Sequence, residues 1–369
     1  MTSDKITRLL RPTVFSFQGY KPVEPFERLS EKIGIPLDRI VKLDANENPY
    51  GCSPKARRAM AEFDRIHIYP DSFSVELCEA LEGYLGVSRN QIAVTNGSDE
   101  MLDFLARMFI SPGDKALTAV PTFPMYRFNV NLFDGEIVEV PRDDKFDVVI
   151  EDMLAAVDDR TKLILIATPN NPTGNPIAEE HVRRLLGTGA FVVVDEAYAE
   201  FAGKTFVPWV NDYENLVVLR TFSKWAGLAG MRVGYAVFHP SAMEWFWRIK
   251  PPYTVNVLAQ AAALASLADR DYLMQNVRLL VQERERLSAE LGRLDYLQVY
   301  PSAANYIYVK FLRGDALAVK KALEKRGIFV RYYDEEYLRG GFRITIGKPE
   351  HTDAILAALA EISREMGIA

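Results

Sequence analysis

Between residues 91 and 238 the chain alternates short apolar runs with stretches of helical spacing. The runs are QIAVTNG, KALTAVP, EIVEVP, TKLILIAT, AFVVVDEAY, NLVVLRT and MRVGYAVF. Several are apolar throughout rather than at every second position, the pattern of strands covered on both faces. SDEMLDFLARMF, directly after the first run, takes helical spacing. Strands separated by helices predict an α/β unit, a mostly parallel sheet of about seven strands flanked by helices.

A long amphipathic pattern follows from Asp269 to Leu294, with Leu273, Val277, Leu280, Leu287, Leu291 and Leu294 on one side. Beyond it come NYIYVKF, a helical stretch near Asp315–Arg326, GIFVRYY, GFRITIG and a terminal helix, which predict a smaller α+β unit. The first 45 or so residues are interrupted by prolines and read as an arm plus a helix. The expected division is 1–45, arm and part of the small domain; 46–268, large domain; 269–369, linking helix and C-terminal small domain.

Composition narrows the classes of function. The chain has 369 residues and a formal net charge of -6, which provides no basic field for nucleic acid. No apolar run reaches the roughly 18 residues of a membrane span, and MTSDKITRLLRP lacks a signal-peptide core. Cys52 and Cys78 form no CxxC pair, and His67, His181, His239 and His351 lie far apart. Zinc sites and metal hydrolysis are therefore disfavoured, no metal is expected, and a reducing cytoplasmic or plastid-like compartment fits, of which the cytoplasm is the expectation.

Three strand ends carry candidate chemistry. In TNGSDE a strand leads through Gly97 into a helix starting at Ser98, Asp99 and Glu100. Its free backbone N–H groups can bind an anion, although simple helix capping explains the same residues. In VVVDEAY, Asp195 ends an apolar strand, where a buried carboxylate needs a cation or a hydrogen-bond donor. A salt bridge or cap serves that need as well as a ligand does. In RTFSKWAGLAGMRVGY, Lys224 follows a buried strand; desolvation and nearby Arg232 would lower its pKa and make it a usable amine nucleophile. Small residues around it, Ala226, Gly227, Ala229 and Gly230, let backbone approach a flat or phosphorylated ligand.

Together the three fit pyridoxal 5'-phosphate. The lysine supplies the Schiff-base amine, the aspartate holds the pyridinium N–H, and the helix end holds the phosphate. GxxxxGK[ST] and GxGxxG are both missing, which removes P-loop and dinucleotide readings.

ATPNNPTG, VVVDEAYAEF and RTFSKWAGLAGMRVGY, in this order and spacing, resemble the fold-type I PLP-dependent aminotransferases. KLDANENPYG, NGSDE and FRITIG narrow the resemblance to the histidinol-phosphate aminotransferase family, from Tyr20 to about Gly347. The resemblance implies transamination of L-histidinol phosphate with 2-oxoglutarate, giving imidazole acetol phosphate and glutamate, by a homodimer. It makes Lys224 the Schiff-base lysine, with Asp195 and Tyr198 as its catalytic companions. Asn171 and Tyr198 would reach the cofactor's 3'-oxygen, Ser98 and Asp99, with Ser223 and Arg232, would surround its phosphate, and Gly97 and Thr221 would also bind the cofactor. Tyr69 would reach the neighbouring subunit's site, while Tyr20, Asn171, Arg331 and Arg343 would bind substrate.

Two positions depart from the family pattern. Phe123, in PTFPMY, stands where many relatives have a tyrosine stacked on the cofactor ring, so stacking survives and a hydroxyl is lost. SKWAG replaces the commoner SKAFG beside Lys224. The same machinery could serve an aromatic amino acid, or a PLP lyase that decarboxylates a phosphorylated amino acid.

Overall fold

The computed structural model describes residues 4–17, 19 and 24–368. Its strands, among the described residues, are β1 (Val41–Leu43), β2 (Ile92–Thr95), β3 (Lys115–Val120), β4 (Glu136–Pro141), β5 (Thr161–Ala167) and β6 (Phe191–Asp195). They continue with β7 (Leu216–Thr221), β8 (Gly234–Phe238), β9 (Leu297–Val299), β10 (Tyr306–Phe311), β11 (Ile328–Tyr332) and β12 (Gly341–Thr345). Each apolar run read from residues 91–238 forms one strand of a seven-stranded sheet, in the order β2-β8-β7-β6-β5-β3-β4. Only β8 runs against the others.

This sheet is covered on both faces, which is why its central strands are apolar throughout. Ile164, Ile166, Val192, Val194, Leu216 and Val218 pack into one core. The intervening Leu163, Leu165, Val193, Val217 and Leu219 pack into another on the opposite face. Strand periodicity of two then decides what happens at the strand ends. Ala167, Asp195 and Thr221 close β5, β6 and β7 on one face. Arg220 turns to the other, where it is buried in ion pairs with Glu196 at 3.0 Å and Glu200 at 2.6 Å.

A second sheet has the order β1-β11-β12-β10-β9. Its first strand comes from the N-terminal region and pairs in parallel with β11. Helices Ala316–Lys325 and Pro349–Glu365 cover it. The long amphipathic pattern forms the helix Arg270–Leu291, which packs against both helix Ala199–Ala202 and the strands β9 and β10. It stops short of Leu294 because Gly292 follows Leu291 and weakens a further turn. Among the described residues no helix is long and apolar enough to cross a membrane.

Candidate active site

The carboxyl ends of the parallel strands open into a cavity of about 300 Å³, the place where open α/β sheets bind ligands. Thirteen of the residues singled out from the sequence line it: Ser98, Asp99, Phe123, Asn171, Asp195, Tyr198, Thr221, Ser223, Lys224, Ala229, Arg232, Arg331 and Arg343. Gly97 lies just behind this wall. Tyr69 lies elsewhere, 79% exposed and stacked on Tyr253 at 4.7 Å. Tyr20 falls outside the described residues.

Asp195 sits between its register partners Ala167 and Leu219. Its buried carboxylate accepts hydrogen bonds from the Tyr126 hydroxyl at 2.9 Å and the Ala197 N–H at 3.1 Å. No lysine or arginine is ion-paired with it among the described residues. Burial pushes its pKa up to about 6, against the two hydrogen bonds, and the Asp99 charge adds to the rise. A buried carboxylate short of a cationic donor fits a pyridine N–H.

Lys224 lies in the turn after β7, half-buried, with Nζ donating to the Ala45 carbonyl at 3.3 Å. Burial lowers its pKa to about 8, helped by the Arg343 charge and to a lesser degree by Arg232. The arginine expected from sequence to depress it is therefore secondary to one that is remote in the chain. Glu47 and Asp99 partly oppose the shift.

The helix Ser98–Phe109 points its N-terminus at the same cavity. Gly97, at φ 82°, makes the turn out of β2. A Cβ there would lie 2.6 Å from the Arg232 guanidinium, and one on Gly234 would lie 2.6 Å from the Ser98 N–H. Both glycines thus clear space for a helix end and a guanidinium to come together. Arg232 pairs with Asp99 at 3.0 Å and donates to the Ala229 carbonyl at 3.1 Å. Beside them the Thr221 hydroxyl donates to Ser223 Oγ at 2.9 Å and accepts from the Ser223 N–H at 3.0 Å. Backbone donors, two hydroxyls and an arginine make a set suited to a phosphate.

Across the cavity Arg331 and Arg343 are direct cross-strand partners on β11 and β12. Arg343 donates to Asn171 Oδ1 at 2.7 Å and to the Asp44 carbonyl at 2.6 Å, with its guanidinium over the Tyr306 ring at 5.3 Å. The Tyr198 hydroxyl accepts from Asn46 Nδ2 at 3.0 Å, and its ring meets Tyr306 edge-on at 5.0 Å. Phe123 lines the wall and packs edge-on against Tyr126 at 5.8 Å.

Sequence reasoning missed Tyr126, Ala45 and Asn46. KLDANENPYG stands out only by its resemblance, and Tyr126 follows Phe123 by one helical turn in the same PTFPMY segment.

The family model for aminotransferase class I and II matches residues 38–361. A histidinol-phosphate aminotransferase of Dehalococcoides mccartyi (strain ATCC BAA-2266 / KCTC 15142 / 195) is 46% identical, over 98% of this chain and 99% of that protein. The chloroplastic histidinol-phosphate aminotransferase 1 of Arabidopsis thaliana is 41% identical, over 95% of this chain and 85% of that protein. Among solved structures, the histidinol-phosphate aminotransferase of Sinorhizobium meliloti in complex with pyridoxal 5'-phosphate superposes with a TM-score of 0.85. It is 28% identical, covering 96% of this chain and 98% of that one. With relatives matched at this identity from end to end, the chain belongs to the histidinol-phosphate aminotransferase family, within aminotransferase class I and II.

Proposed function

We propose that the protein uses pyridoxal 5'-phosphate to move the amino group of L-histidinol phosphate to 2-oxoglutarate, giving imidazole acetol phosphate and glutamate in histidine biosynthesis. One observation carries this reading. A single cavity holds a half-buried amine, a buried carboxylate without an ion-pair partner among the described residues, a helix N-terminus with an arginine, and two further arginines side by side.

When bound, the cofactor supplies an aldehyde for amines and a protonated ring that takes up electrons released at the substrate Cα. Lys224 would hold it covalently through Nζ. Once displaced by the substrate amine, Nζ would carry the proton from substrate Cα to the cofactor's C4'. An amine with its pKa near 8 is matched to that work close to neutral pH. Asp195 would hold the pyridine N–H, and Phe123 would cover one ring face. Asn171 and Tyr198 would contact the 3'-oxygen. Gly97, Ser98, Thr221, Ser223 and Arg232 would hold the phosphate. Asp99 would contribute its backbone N–H and its grip on Arg232, since its carboxylate repels a phosphate.

Arg331 and Arg343 are cross-strand partners on one wall of the cavity, where two guanidinium groups can reach a single anion. Arg343 would therefore grip the anion shared by both substrates, the phosphate of histidinol phosphate or a carboxylate of glutamate. Arg331, with Tyr20, would add the second contact that a dianion needs. Arg343→Ala is expected to damage both half-reactions. Arg331→Ala should cost the histidinol-phosphate half about ten- to a hundred-fold more than the glutamate half. Single-turnover spectra of each half-reaction measure this. Equal losses for Arg331→Ala would move the substrate assignment to an aromatic amino acid.

The same reading makes the protein a homodimer with composite sites. Tyr69 is supported as a residue of the partner's site by lying outside the cavity of its own chain. Around it Ile66, Ile68, Phe73, Val75 and Tyr253 leave an exposed apolar surface, of the kind an isologous interface covers. Co-expressed Lys224→Ala and Tyr69→Ala chains should form heterodimers with one doubly damaged and one intact site. Their activity is expected to exceed that of either parent, and a fully active monomer in sedimentation would refute the assembly. The division into 1–45, 46–268 and 269–369 and a cytoplasmic setting belong to the same proposal. The first is supported by β1 joining the C-terminal sheet, the second by two unpaired cysteines, Cys52 and Cys78.

A further inference from the structure

Asn46 lies just after β1, 1% exposed and with φ 55°. Asparagine is one of the few side chains that enters this left-handed region readily. All its polar groups are engaged. The backbone N–H donates to Thr345 Oγ1 at 2.9 Å, and the backbone carbonyl accepts from Asn305 Nδ2 at 3.1 Å. The side-chain Oδ1 accepts from Thr345 Oγ1 at 3.0 Å, and Nδ2 donates to the Tyr198 hydroxyl at 3.0 Å.

One arrangement of protons gives every buried group here a partner. A backbone N–H can only donate, so the Thr345 hydroxyl accepts there and keeps its own proton for Asn46 Oδ1. The oxygen end of the amide then faces Thr345 and the NH₂ end Tyr198; the reverse would leave the buried Thr345 hydroxyl proton with no acceptor among the described residues. An amide NH₂ is also only a donor, so the Tyr198 oxygen accepts from it. The phenolic proton must point elsewhere, and no acceptor among the described residues takes it. Tyr198 lines the cavity, which is the direction left. Burial raises the phenol's pKa to about 12, against the Arg343 charge and the Asn46 hydrogen bond, so the proton is retained through the neutral range.

We propose, on the reading that Tyr198 contacts the cofactor's phenolic oxygen, that Asn46 is a positioning residue: held by Thr345, it commits the Tyr198 hydroxyl to donate into the cavity. Thr345 and Arg343 lie two positions apart on β12 and so share a face of the sheet. The strand that carries the anion-binding arginine thus also sets the direction of the Tyr198 proton.

A double-mutant cycle on the holoenzyme tests this, with the pH midpoint of the bound cofactor's visible absorption band as the readout. A hydrogen bond donated to the phenolic oxygen favours its anionic form and lowers that midpoint. Tyr198→Phe should raise it by about one pH unit, the size of one charge-assisted bond. Asn46→Asp keeps the shape but offers an acceptor to Tyr198, turning the phenolic proton away, and should raise the midpoint at least as far. In the Tyr198→Phe background the Asn46→Asp shift should shrink to less than half. A shift that persists undiminished there would belong to the new charge and would overturn the role of Asn46. An unmoved midpoint in Tyr198→Phe alone would overturn the Tyr198 contact, and this inference with it. If Asn46→Asp does not fold, Thr345→Val, which frees the amide to turn over, decides by the same cycle. Its shift should vanish in the Tyr198→Phe background, and a shift that stays overturns the inference.

Discussion

Lys224→Ala is expected to lower the transamination rate by about four orders of magnitude or more, because one amine performs two tasks, attachment of the cofactor and transfer of a proton. Borohydride reduction of the wild-type holoenzyme should remove its visible band and label the peptide containing Lys224. Label on another lysine, or normal turnover of the variant, contradicts the assignment. The amine's environment adds a pH signature. Its pKa is lowered to about 8 by burial first and by the Arg343 charge second. A protonated amine cannot attack an aldehyde, so cofactor uptake by the cofactor-free protein should rise with pH and level off above about 8. Removing the Arg343 charge favours the protonated amine, and Arg343→Ala should move that midpoint upward.

Asp195→Asn is expected to reduce turnover by about 10²- to 10³-fold, the scale on which a preorganised charged contact acts in a dry site. The same change should stabilise the cofactor-free protein. With the folded pKa pushed up to about 6, above the ordinary carboxylate value near ~3.9, the folded state binds the extra proton. Stability therefore falls as pH rises from about 4 to 6, and the cost is fully present above that range. Removing the charge should recover about 1–3 kcal/mol at pH 7.5 and nearly nothing at pH 4. Urea unfolding of both cofactor-free proteins at the two pH values measures this. An Asn variant less stable than wild type at pH 7.5 would show that Asp195 has a compensating partner after all.

Both predictions concern groups visible in the linear chain, because each breaks a strong local pattern. An apolar run such as FVVVD has no reason to end on a carboxylate unless something meets it, and a lysine beside a Gly/Ala-rich turn after NLVVLRT is equally conspicuous. Periodicity also sufficed for the seven strands of the larger sheet and for the helix Arg270–Leu291, since burial on both faces or along one stripe is written directly into residue spacing. Arg331 and Arg343 were legible as two arginines on neighbouring strands. That they are register partners follows from the pairing of β11 with β12.

Contacts between remote segments were not legible. Asn46 touches Tyr198, Asn305 and Thr345, and Ala45 meets Lys224 only because β1 crosses to the C-terminal sheet. Tyr126 reaches Asp195 from a helix in a different part of the chain. Hydrophobic spacing records which face of an element is covered, and strand ends record where polar groups must be satisfied. Neither records which distant polar atom satisfies them. A hydrogen bond needs a donor and an acceptor about 3 Å apart, and that distance exists only after packing has brought the elements together. The chain's pattern thus specified the strands, the long helix and the chemical types at the strand ends. The partners of those groups, the protonation of Asp195 and Lys224, and the direction of the Tyr198 proton were decided by burial and by charges that only the folded chain brings together.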